Sequence, residues 1–168
     1  MVERYLRVTV VAVIILRAWV SVSAEGMYEA WVARYDGPGY YWDQAYSLKL
    51  DKNGKIYVTG LSGEIVPNYS SACATIAYDS NGVAIWVDGF DMNNSWPVIP
   101  AALVVDGEGN AYVSWSRSGD CFTVKLSPLG DMLWVRYYDG VAHLDDDITA
   151  AVLDLKPLPI VKTKNRLF

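Results

Sequence analysis

Thr75–Trp86 reads TIAYDSNGVAIW, and Thr123–Trp134 reads TVKLSPLGDMLW, forty-eight positions later. Both copies open on Thr, pass a turn that ends in Gly82 or Gly130, and reach Trp86 or Trp134 four residues on. A second echo lies around the first. LKLDKNGKIYVTG at Leu48–Gly60 matches LVVDGEGNAYVSW at Leu103–Trp115. Each half alternates apolar and polar residues, is rich in β-branched and aromatic types, and is broken by a short turn ending in Gly. That is the pattern of paired antiparallel strands. The period of 55 and then 48 residues, with four strand-like runs in each, predicts tandem four-stranded sheets.

Working outward, AWVARY at Ala30–Tyr35 resembles IWVDGF at Ile85–Phe90 and LWVRYY at Leu133–Tyr138. It reads as the closing strand of a unit whose beginning is missing. Unit one spans about residues 43–90 and unit two about 98–138. DDITAAVLD at Asp146–Asp154 lines up with Asp43–Asp51 and starts a third unit. After Asp154 the expected turn and returning aromatic strand do not follow. Residues 155–168 carry two prolines, which are hostile to a central strand, and read as a degenerate tail. Within unit one, Ile56 and Val58 point to one face and Tyr57 and Thr59 to the other. A sheet apolar on both faces must be covered on both.

The N-terminus has the order of a secretory signal: a basic start, the apolar run Val8–Leu16, then small residues at Val22-Ser23-Ala24. A signal-like helix is expected over residues 1–24. An uncleaved anchor is the competing reading, although the run falls short of the ~20 residues a spanning helix needs. Removing 1–24 takes away Arg4, Arg7, Arg17 and Glu3, so the net charge moves from −5 to −7. An acidic body excludes a phosphate-binding face, so no nucleic-acid partner is expected. His143 is the lone histidine, which argues against His-based metal or triad chemistry. Cys73 and Cys121 fall at equivalent repeat positions. Export permits a disulfide, but equivalent positions in neighbouring units need not approach closely enough, and two buried thiols are the expectation.

The repeat is similar to the secreted bacterial and archaeal β-propeller repeats called SBBP repeats. Asp51, Gly54, Tyr57-Val58-Thr59-Gly60, Thr75, Tyr78-Asp79, Gly82 and Trp86 carry the resemblance in unit one. Asp106, Gly109, Tyr112-Val113-Ser114, Thr123, Lys125, Gly130 and Trp134 carry it in unit two. The run from Ala77 to Trp86 also resembles the tryptophan-docking motif of quinoprotein propellers. The resemblance implies an all-β partial propeller of about two blades with flanking strands. In it Trp31, Trp86 and Trp134, with Gly82 and Gly130, would lock each blade to its neighbour. Two blades are too few to close a ring of four to eight. A piece of a larger protein, an assembly of copies through open blade faces, and ends capped by loops are the three ways out.

For a binding site the loops between units are the place to look. Tyr40, Tyr41, Trp42 and Asp43 stand in the first, and Asn93, Asn94 and Trp96 in the second. Aromatic plates beside amide and carboxylate groups suit a glycan or a peptide: the ring stacks and the polar groups orient. Asp145-Asp146-Asp147 could not turn three consecutive carboxylates to one calcium ion from a strand, and no metal or cofactor is expected. No nucleophile elbow or phosphate-cradling loop is present in the sequence. The expectation is a secreted or cell-envelope binding or structural protein. The competing readings are a fragment of a longer exported lyase or glycan-acting enzyme whose active site lies elsewhere, and a self-assembling structural subunit.

Overall fold

A computed structural model describes residues 9–10, 29–37, 42–63, 71–90, 99–117, 120–139, 148–153 and 159–163. Among them there is no helix. The strands are β1 (Thr9–Val10), β2 (Ala33–Arg34), β3 (Asp43–Leu50), β4 (Ile56–Gly63), β5 (Ser71–Tyr78) and β6 (Ala84–Phe90). They continue with β7 (Ile99–Val105), β8 (Ala111–Arg117), β9 (Asp120–Leu126), β10 (Met132–Tyr138), β11 (Ile148–Leu153) and β12 (Pro159–Thr163). Two antiparallel four-stranded sheets result, β3-β4-β5-β6 and β7-β8-β9-β10, with two-stranded pairs β1-β2 and β11-β12 at either side. The chain is all-β.

The four tight hairpins share one piece of chemistry. Asp51 Oδ1 accepts the N–H groups of Asn53 and Lys55 at 2.8 and 2.9 Å. Asp79 does the same for Asn81 and Val83, and Asp106 for Glu108 and Asn110. At the fourth turn the hydroxyl of Ser127 replaces the carboxylate, holding Leu129 and Asp131 at 3.1 Å. Each turn then closes on a Gly with positive φ, between 80° and 94°. A type I turn followed by one left-handed residue is a standard three-residue hairpin loop. The side chain clips the N–H groups two and four residues ahead, and Gly supplies the one backbone shape an L-residue resists.

Both faces of both sheets bury apolar groups. Tyr57, Cys73 and Ala77 of the first sheet pack with Leu103, Val113, Trp115, Val124 and Leu126 of the second. Trp115 is fully buried and stacks on Phe122 with ring centroids 5.9 Å apart. On the other face of the first sheet, Ile56, Val58, Ile76 and Tyr78 meet Ala33, Trp31 and Tyr35. On the far face of the second, Ala102 and Cys121 meet Ile148, Ala151 and Tyr138. The opposite facing of Val58 and Tyr57 follows from the strand period of two.

First strands gather: β3 lies against β7, and β7 against β11. Among the described residues the fourth strands β6 and β10 make no comparable contact, so the sheets fan outward. Ile85, Val87, Leu133 and Val135 on those outer strands are accordingly about half exposed.

Three expectations change. The leader does not show a helix where it is described: Thr9 and Val10 pair with Arg34 and Ala33 as a short strand, as their β-branched side chains favour. The rest of the leader lies outside the described residues. The closing strand expected over Ala30–Tyr35 is strand only at Ala33–Arg34. Residues 155–168 are not all tail. Pro159–Thr163 return against β11, with Pro159 opposite Leu153. Pro is tolerated there because it is the first residue of its strand.

Candidate functional site

The described residues among those singled out by sequence fall on two surfaces, the seam between sheets and the entry to β3.

At the seam, Trp31 and Trp86 each reach the turn between the third and fourth strands of the next unit. Trp31 Nε1 donates to the carbonyl of Ser80 at 3.1 Å. Trp86 Nε1 donates to the carbonyl of Pro128 at 3.0 Å. The rings lie flat over the turn glycines: a Cβ on Gly82 would stand 2.6 Å from Trp31 Cε3, and one on Gly130 2.9 Å from Trp86 Cγ. So Gly82 and Gly130 serve twice, giving positive φ and leaving room for a ring. Trp134 stands at the same repeat position. Its ring packs against Tyr112 and carries Arg136 above it, 4.9 Å from the centroid. No further turn covers it among the described residues.

The structure adds two residues that the sequence reading passed over as seam contacts. Lys55 Nζ donates to the same Pro128 carbonyl at 2.6 Å, and Tyr57 Oη donates to the carbonyl of Gly109 at 2.9 Å. The recurrence of Tyr57 as Tyr112 was the available signal. In unit two the tyrosine hydroxyl turns to Asp106 Oδ2 of its own unit at 3.1 Å. Burial alone would raise the Asp106 pKa. The bonds from Asn110, from the Glu108 N–H and from Tyr112 outweigh it and hold the carboxyl below its usual range.

At the β3 entry, Trp42 is 70% exposed while Asp43, the next residue, is only 8% exposed. Successive residues on a strand point to opposite faces, which separates the plate from the carboxylate. Trp42 is anchored through its carbonyl, which accepts the N–H of Gly63 at 3.1 Å. Asp43 Oδ2 accepts the N–H of Gly37 at 2.9 Å, and Oδ1 is buried without a hydrogen-bond partner. Beneath it is a hollow of about 30 Å³ bounded by Tyr35, Asp43, Val58, Ile76 and Tyr78. That volume suits a water or two and excludes a sugar ring. Tyr40, Tyr41, Asn93, Asn94 and Trp96 lie outside the described residues, as does Asp145-Asp146-Asp147.

Elsewhere, Asp88 has a buried, unpartnered Oδ2 beside the Cys73 thiol. Burial pushes its carboxyl up, against one hydrogen bond from the Gly89 N–H. Neither cysteine is in a disulfide, and both are buried, in different clusters. Among the described residues no three acidic, Cys or His side chains gather at one point.

Compared with models of known families and with curated proteins, the sequence matches none.

Proposed function

We propose that this chain is a β-propeller-repeat protein that works by binding rather than by catalysis. Fanned four-stranded sheets with their first strands together support the propeller reading, as does the indole-on-turn contact made twice in register. The observation that carries the binding role is Trp42. Its large ring is 70% exposed at the start of a strand. Such a plate suits the apolar face of a sugar or the side chains of a peptide. Because Asp43 is spent inward, Trp42 provides stacking, and the polar contacts come from neighbouring loop residues.

The test is a glycan array and a peptide array probed with the labelled protein and with Trp42→Ala. The expected outcome is one ligand class bound by the parent and weakened at least tenfold in the variant, about 1.4 kcal/mol. No signal in the parent above the variant removes the binding role.

A further inference from the structure

The two flanking strand pairs are not equivalent. β11 takes the place of a first strand: it lies against β7 as β7 lies against β3, and Ile148 packs on Ala102 and Cys121 of the second sheet. β12, antiparallel to it, takes the second place. β2 takes the place of a fourth strand. Trp31, just ahead of it, sits on the Gly82 turn as Trp86 of β6 sits on the Gly130 turn. β1, antiparallel to β2, takes the third place, as β5 does beside β6. One side of the molecule therefore holds strands one and two of a sheet, and the other holds strands three and four.

We propose that these halves complete each other between two copies of this chain: β11-β12 of one and β1-β2 of the other form a single four-stranded sheet. Strand direction permits it, because alternation places β12 antiparallel to the partner's β1. β2 and β11 are each already packed on the full sheet they would neighbour, through Ala33 and Ile148. The interface continues one the molecule already makes, between its first and second sheets. In the described residues β1 and β12 each have a strand on one side only, and such an edge presents a row of unpaired N–H and C=O groups. β11 covers β7 and, to a lesser extent, β8. The partner's β1-β2 would extend that cover outward toward β10, where no turn among the described residues lies over Trp134. A single copy cannot join its own halves while two full sheets stand between them. Two copies related by a two-fold axis hold six sheets, within the range of closed propellers.

This inference rests on the propeller reading and is independent of any ligand at Trp42. It also requires that the leader be retained, because β1 lies inside it. The test is light scattering on the full chain over a wide concentration range, with hydrogen exchange at the two extremes. The expected mass is twice 18.7 kDa. On dilution the amides of β1 and β12 lose protection while those of β4 and β8 keep it. Thr9→Pro/Val10→Pro removes the β1 donor that faces away from β2 together with the one that faces it, and should weaken the dimer more than tenfold. A monomer at every concentration overturns the proposal. So does a dimer whose β1 and β12 amides do not respond to dilution, or one that the double proline variant leaves equally tight. None of these outcomes bears on the array experiment.

Discussion

Gly54 and Gly130 end two turns of the same design, yet their surroundings differ. Both have positive φ, 83° and 94°. A Cβ on Gly54 would meet only Ser80 Cβ, at 3.9 Å, whereas one on Gly130 would enter the ring of Trp86. The backbone cost of an L-residue in that region is about 1 kcal/mol. Gly54→Ala should lose about that much stability in a urea titration. Gly130→Ala should lose about 2–3 kcal/mol, since the indole must also give up packing and its bond to Pro128. Equal losses would mean that the ring does not depend on the glycine. Asp-x-x-Gly was legible in the sequence as a turn because its chemistry is local. The second duty of the glycine was not legible from the turn itself, because the ring arrives from a different unit.

At the scale of the element, the first and second sheets are joined by Trp86, Lys55 and Tyr57, all pointing to turns of unit two. Trp86→Ala should cost about 3 kcal/mol and broaden thermal unfolding as the sheets uncouple. Trp134→Ala, lacking a turn to lose, should cost the dilute protein clearly less. Similar losses from both would show that the indoles work within their own sheets. The sheets themselves could be read from alternation and turn spacing. The return of β12 could not, because Pro159 reads as a strand breaker until its position at a strand start is known. Nor could the length of β7. Pro100 looks like loop, but it pairs with Trp115 on a first strand, at the edge of the hydrogen-bonded ladder, where a missing donor is tolerated.

For the whole molecule, burial between sheets sets the response to alkali. Burial pushes the Cys73 thiol up to about 12 from 9, the nearby Asp88 adding and the Thr59 hydroxyl opposing. Burial likewise pushes Tyr57 up to about 12 from 10, aided by Asp51 and Asp106. Both groups are neutral when protonated, and folding favours that form. Their contribution is complete below pH 9, where the unfolded thiol is also protonated. It declines from pH 9 toward 12, because the unfolded chain releases these protons first. Stability should therefore fall as pH rises above 9, with Cys73→Ala flattening the fall between 9 and 10. A flat profile for the parent over that range would contradict the burial of these groups. In the same preparation a thiol reagent should find neither cysteine in the native protein and both in denaturant, with reductant leaving the melting temperature unchanged.

The sequence by itself determined the strands of the two four-stranded sheets, their turns and the two-sided apolar pattern, since period-two alternation and Asp-x-x-Gly turns are set by neighbours along the chain. It also marked Trp31, Trp86 and Trp134 as equivalent. Only the tertiary structure decided which of them has a turn to sit on, that Asp43 faces inward while Trp42 faces out, and that one flanking pair borders the first sheet and the other the second. Those outcomes depend on which surface lies across from which, and separation along the chain does not record that.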